Sequence, residues 1–285
     1  MTRTALLVAH PTRPEALVAA QEAEVALAEA GFTVRVESDG FTEADLADVE
    51  VAVVLGGDGT ILRTAQLTRG TDVPILGVNL GHVGFLAESE REDITAAAQR
   101  LAAGDYEVEE RRTLDVTVRH NGAEVARDWA LNEATVEKAN PGRMLVVAVE
   151  VDGRPLSAFG CDGVVMATST GSTAHAFSAG GPVVWPDVDA MLLVPVSAHA
   201  LFARPLVVGP GSVLALEILA RSATAGTRSC DGARGRDLPV GSRVEVRRSP
   251  VPVRLARLSL APFTDRLVRK FALPVAGWRG RPQEG

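Results

Sequence analysis

Asp58 sits inside VVLGGDGTIL (residues 53–62), where three glycines surround one carboxylate between a strand-like run and a helix-like run. A strand that ends in Gly56 and Gly57 and passes straight into a helix leaves free backbone N–H groups at the helix start, where anions bind well. Glycine suits such a turn because it tolerates positive φ and lets a phosphate approach the main chain closely. An aspartate in a phosphate-binding turn repels its own ligand, unless it meets a hydroxyl proton or a Mg²⁺ ion. The pairing points to phosphoryl transfer; the plainer alternative is a βα turn in which Asp58 only caps the helix.

Two other stretches carry polar chemistry. In LNEA (131–134), Asn132 offers an amide donor and acceptor, and Glu133 can accept hydrogen bonds from two ribose hydroxyls. The segment CDGVVMATSTGSTAHAFSAGGPVV (161–184) crowds Thr168, Ser169, Thr170, Ser172, Thr173 and Ser178 together. So many hydroxyls are costly to bury without partners, and a polar ligand is an economical explanation. STAHAFSAGG reads as a short helix with a second phosphate-friendly start. The five histidines show no metal-ligand spacing, so no protein metal ligand is assigned. Neither GxxxxGK[ST] nor GxGxxG occurs, and GGDGT alone leaves sugar, lipid and nucleotide kinases open.

The elements that must position these residues divide into two kinds. TALLVAH, TVRVES, VEVAVVLGG and VPILGVN read as strands, and PEALVAAQEAEVALAEAG, TILRTAQLTRG and REDITAAAQRLAAG as helices, an order that implies a parallel sheet covered by helices. After Gly104 the text becomes strand after strand, with HNG (120–122) and VDGR (151–154) as hairpin signals. The expected fold is therefore an α/β domain over 1–105 and a β-rich, sandwich-like domain over 106–262. A tail over 263–285, apolar on one side, is expected to pack back on the first domain. CDG occurs twice, at 161–163 and 230–232, and two Asp-Gly turns account for it.

Composition sets outer bounds. A net charge of −7 argues against a nucleic-acid groove, and no long charge-free apolar stretch suggests a membrane span. Residues 1–50 hold ten acids and three arginines, whereas 251–285 hold seven basic residues and two acids, a distribution that suits either two ends that face each other or two independently solvated surfaces. Two cysteines, Cys161 and Cys230, make no disulfide framework and point to reduced thiols in a cytoplasmic chain.

Taken together and in this order, GGDGT, LNE and DGVVMATSTGSTAHAFSAGGP closely resemble the NAD kinase family, its actinobacterial members in particular. AHALFARPLVV (198–208) and PFTDRLVRKFALPVAGWRG extend the resemblance over nearly the whole chain. It implies phosphorylation of the adenosine-side ribose 2′-hydroxyl of NAD to give NADP, with ATP or polyphosphate as donor, Mg²⁺ or another divalent metal, and a homodimer or homotetramer. By position, Asp58 would be the general base, and Gly57 and Gly59 would meet the nucleotide through their backbone. Asn132 and Glu133 would bind NAD, Asp162 the nicotinamide side or a neighbouring subunit's nucleotide, and Thr173, Ala174, His175 and Ser178 the adenine and ribose. Arg63 and Arg143 would contact phosphates. Three departures bear on binding rather than on phosphoryl transfer: His175 stands where relatives commonly have tyrosine, Ser169 where they have proline, and Ala233 where they have glutamine. The competing readings are a kinase for another small molecule and a non-catalytic nucleotide-binding regulator.

Overall fold

The computed structural model describes residues 3–38, 41–81, 84–259 and 262–275. In the first part of the chain, β1 (Arg3–Ala9), α1 (Pro14–Glu29), β2 (Phe32–Val36), β3 (Val49–Leu55), α2 (Asp58–Thr68) and β4 (Ile75–Asn79) follow one another. Then come β5 (Ser89–Glu90), α3 (Ile94–Ala103) and β6 (Glu107–Arg111). The pairings β1 with β2, β1 with β3 and β3 with β4 are all parallel. Six of the seven residues of β3 are buried, as a strand covered on both faces requires. Small side chains bring α1 close to the sheet: Ala16, Ala19, Ala23, Ala26 and Leu27 recur at helical spacing and are buried. The expected alternation fails once, since β2 and β3 are joined by a single 3-10 turn, Glu43–Leu46, closed by a Thr42–Asp45 capping box.

The middle of the chain is antiparallel. Its strands are β7 (Leu114–His120), β8 (Ala123–Ala130), β9 (Glu133–Lys138), β10 (Leu145–Val151), β11 (Arg154–Cys161) and β12 (Gly163–Thr168). A short helix α4 (His175–Ser178) precedes β13 (Met191–Val196), β14 (Leu206–Val208), β15 (Val213–Ile218), β16 (Gly226–Cys230), β17 (Arg234–Leu238) and β18 (Arg243–Arg248). They form two six-stranded sheets, β11-β10-β15-β18-β7-β8 and β14-β13-β12-β9-β16-β17. Alternate residues of both, among them Val116, Val147, Leu216 and Val244 from one and Val136, Val164 and Met166 from the other, meet in one core. β12 is buried on its other face too, where Val165 and Ala167 pack with Ala176 of α4. Both expected hairpins form, with Asn121–Gly122 and Asp152–Gly153 at positive φ.

The chain then returns with β19 (Val253–Arg257) and α5 (Phe263–Phe271). β19 runs parallel to β4 and completes the first sheet, ordered β2-β1-β3-β4-β19-β6 with β5 beside β4. Two compact units result: residues 1–110 with 253–285, and residues 111–252. Divisions expected at 105/106 and 262/263 therefore fall at 110/111 and 252/253, because β6 and β19 are strands of the parallel sheet rather than of the sandwich. α5 packs within the first unit, its Phe263 and Phe271 rings lying 5.9 and 5.8 Å from the Phe85 ring. The end of the expected tail, 276–285, lies outside the described residues. Among the described residues no helix is long and apolar enough to cross a membrane.

Candidate active site

In the first unit the order β2-β1-β3 reverses direction at β1, so the carboxyl ends of β1 and β3 flank a crevice of the kind that binds ligands in open α/β sheets. The two ends are tied by the His10 amide donating to the Leu55 carbonyl at 3.1 Å. A depression of about 310 Å³ opens there, lined by His10, Pro11, Arg13, Gly57, Gly59, Thr60 and Arg63. Gly57 caps α2 in an extended conformation, with φ −88°. The positive φ expected of this turn falls on Gly56, at 158°, where a Cβ would run into the Thr60 side chain; Gly57 and Gly59 lack it, and a Cβ on either would meet only open space. What they leave is room beside the main chain. Arg63 lies at the depression but is bound to the Glu37 carboxylate at 2.7 Å and to the Ala9 carbonyl at 3.2 Å.

Asp58 is the first residue of α2, half-buried, and its carboxylate is held from a distant part of the chain. Oδ2 accepts the Phe85 amide and Oδ1 the Leu86 amide, each at 3.1 Å. One bond per oxygen fixes the plane of the carboxylate and leaves each oxygen a further lone pair. The neighbouring Gly84 has to be glycine, because a Cβ there would run into the Asp58 carboxylate. Asp58 is therefore more than a helix cap: it is clamped at both oxygens while keeping capacity to take a proton.

In the second unit β9 and β12 are neighbours, with Glu133 opposite Ala167. Where β12 ends, Thr168 ties the chain back to the LNE segment: its amide donates to the Asn132 carbonyl at 2.9 Å and its hydroxyl to the Leu131 carbonyl at 2.6 Å. A Cβ on Gly171 would collide with the Asn132 carbonyl, so only glycine allows this approach. The hydroxyl-rich run that seemed to call for a polar ligand is largely satisfied by the chain itself. Ser169 donates to the Val188 carbonyl, Ser172 to the Val184 carbonyl at 3.1 Å and Thr173 to the Thr170 carbonyl at 3.3 Å, and Arg111 reaches Thr170. Their density reflects an irregular path after β12 that supplies unpaired carbonyls.

Glu133 is different. It is buried, accepts the His175 amide, and its Oε2 has no partner. Burial, with the Asp231 charge adding to it, pushes its carboxyl up to about 8. An orphaned buried acceptor is the atom a ligand hydroxyl would satisfy. Asp231 is the functional residue that sequence reasoning missed. It occupies a left-handed turn position, φ 50°, and its carboxylate accepts the amides of Asn132 at 2.8 Å, Leu131 at 3.0 Å and Glu133 at 3.4 Å. Arg234 bonds Asp231 at 3.1 Å and Asp128 at 3.0 Å, and lies over the Trp129 ring. The second CDG was the available signal, and its hairpin turn explained it too easily.

The remaining candidates separate. The His175 backbone reaches Glu133, with Thr173 and Ala174 just before it in the chain, whereas Ser178, exposed at the end of α4, makes no part of that contact. Asp162 sits at the opposite end of β12, where Gly163 faces Glu137, about 13 Å along the strands from the Glu133 pairing. It pairs with Lys138 at 2.5 Å, whose ammonium holds its carboxyl below the usual range. Arg143 is exposed in the β9–β10 connection at that same far end. Within one chain, then, neither Asp162 nor Arg143 joins Asn132 and Glu133, because an antiparallel pair carries the two ends of β9 apart.

Solved structures share this two-unit fold. Yeast NADH kinase, crystallised with NADH, superposes with a TM-score of 0.88 over 98% of this chain and 90% of that one at 22% identity. An NAD kinase from Archaeoglobus fulgidus in complex with ATP gives 0.76 over 95% and 99%, at 27% identity. The sequence matches the ATP-NAD kinase N-terminal domain over residues 37–106 and the ATP-NAD kinase C-terminal domain over 131–258. The NAD kinase of Thermobifida fusca is 57% identical across 99% of this chain and 93% of its own length. The chain belongs to the NAD kinase family, and its activity is that of an NAD kinase, a transferase.

Proposed function

We propose that the chain transfers the terminal phosphoryl group of ATP to the 2′-hydroxyl of the adenosine ribose of NAD, with Asp58 as the general base. The observation that carries this reading is the Asp58 carboxylate, fixed by two amides at the head of α2 and beside a depression suited to anions. Phosphoryl transfer asks a protein mainly for positioning, charge neutralisation and a base. Gly57 and Gly59 leave room for the donor phosphates against the main chain, and the guanidiniums of Arg13 and of Arg63, the latter paired with Glu37, line the same depression. This lining recognises phosphates rather than a base, so inorganic polyphosphate is included as a second donor. In the second unit Asn132 and Glu133 take the nucleoside, with the Glu133 Oε2 hydrogen-bonding a ribose hydroxyl and Thr173, Ala174 and His175 completing the pocket.

Among the described residues no three His, Cys, Asp or Glu side chains stand together as a metal cage. Mg²⁺ characteristically keeps several waters and is held by substrate phosphates, so the ion would enter with the donor and neutralise its charge while Asp58 stays the base. Asp162 and Arg143, remote from Glu133 within the chain, suit a site completed by a second copy in a homodimer or homotetramer. The two unpaired, buried cysteines fit a reducing cytoplasm.

The test is direct. Purified protein with NAD, ATP and Mg²⁺ should yield NADP, read with an NADP-specific dehydrogenase. D58N should lower kcat by about 10²–10⁴ with little change in KM for NAD. A fully active D58N protein would sink the assignment.

A further inference from the structure

The segment that clamps Asp58 is itself clamped from behind. The Phe85–Leu86 peptide turns its N–H to Asp58 Oδ1 at 3.1 Å and its carbonyl to Arg266 Nη1 of α5 at 3.2 Å. The Leu86 carbonyl in turn meets Arg257 Nη1 of β19 at 3.2 Å. Both arginines converge on Glu88, at 2.7 Å from Arg266 and 2.9 Å from Arg257, and the Glu88 side chain is 1% exposed. Phe85 is also held through its ring, between Phe263 and Phe271 at either end of α5. A peptide with a cation at its oxygen and an anion at its N–H is polarised along that line, and both hydrogen bonds strengthen. Arg266, only 11% exposed, has lost most of its solvent screening at this point.

We propose that Arg266 is a positioning residue for phosphoryl transfer: from the C-terminal helix it fixes the Phe85–Leu86 peptide, and through that peptide's N–H the orientation of the Asp58 carboxylate. The inference rests on Asp58 being the base. Arg266 touches neither substrate; its action is the aim of the lone pair that receives the hydroxyl proton.

The experiment compares full-length R266Q, R266M, R266K, D58N and the D58N/R266Q double variant, each checked for a cooperative melt. R266Q and R266M should lower kcat about 10- to 100-fold, the scale of a small misplacement of a reacting group. KM for NAD and for ATP should stay within about twofold, since binding groups are untouched. R266K, which keeps a cation at the end of a long side chain, should recover most of the loss. In the D58N background R266Q should cost nothing further, because a residue that acts only through Asp58 has nothing left to act on. Folded R266Q and R266M with wild-type kcat would overturn the proposal. So would an equal loss from R266Q in the D58N background, or a loss confined to KM. Should neither neutral variant fold, R266K decides, with kcat within about tenfold of wild type supporting the proposal and a larger loss overturning it. A fully active D58N would remove the base assignment instead, a result distinct from any of these.

Discussion

Replacing Glu133 by Gln should make the second unit more stable, and increasingly so as pH rises. Glu133 is 7% exposed with one carboxylate oxygen unpartnered, and burial followed by the neighbouring Asp231 raises it from the ordinary 4.5 to about 8. The folded chain then holds a proton between these values that the unfolded chain has released. Stability falls as pH rises across that window: the contribution is fully present below 4.5 and is lost on passing about 8. At 1.36 kcal/mol per pH unit the span corresponds to about 5 kcal/mol. Glutamine keeps the shape and the acceptor for the His175 amide but carries no titrating group. The raised carboxyl of Asp231 adds a slope of the same sign, and because its charge is coupled to that of Glu133 the comparison reads the pair. Melts from pH 5.0 to 8.5 without nucleotide, followed by tryptophan fluorescence with Trp129 and Trp185 both in this unit, give the comparison. The Tm of E133Q minus that of wild type should grow by about 10–20 °C across the range, at a few degrees per kcal/mol. Parallel curves would show that Glu133 is ionised throughout, and that the reasoning from burial is wrong.

Three further outcomes follow from the same geometry. D231N takes the charged acceptor from three main-chain amides and one of the two carboxylates that hold Arg234, Asp128 remaining; hydrogen bonds to a charged group are worth about 1.5–3 kcal/mol, so Tm should fall and KM for NAD should rise with it, and unchanged melts and kinetics would refute the role given to Asp231. G84A puts a methyl group into the Asp58 carboxylate, so kcat should drop by about 10²-fold while circular dichroism stays that of the wild type; a fully active G84A would show that the clamp is dispensable. Burial pushes the thiols of Cys161 and Cys230 up to about 12 and about 11, so neither should react with a thiol reagent at pH 8 until the protein is unfolded, and rapid labelling of the native protein would contradict that burial.

The parallel strands and their helices were legible because continuous apolar runs and helical spacing are local signals, and the hairpins because Asn-Gly and Asp-Gly serve positive φ. β19 was not, since a five-residue strand carries no mark of a partner nearly two hundred residues upstream. The hydroxyls of 168–173 misled for a related reason: composition shows the donors, and the chain path decides whether carbonyls lie within reach. The same limit governs the site itself. Asp58 and Glu133 stood out in the sequence and Asp231 did not, and the groups that hold all three are backbone amides, of Phe85 and Leu86, of His175, and of residues 131–133. Amides belong to every residue but proline, so no motif announces them. The glycines come nearest to doing so: Gly84 and Gly171 stand where a Cβ would meet the Asp58 carboxylate and the Asn132 carbonyl. Both glycines fall outside GGDGT and LNE, the segments whose geometry they permit, so the motifs alone do not show what holds them in place.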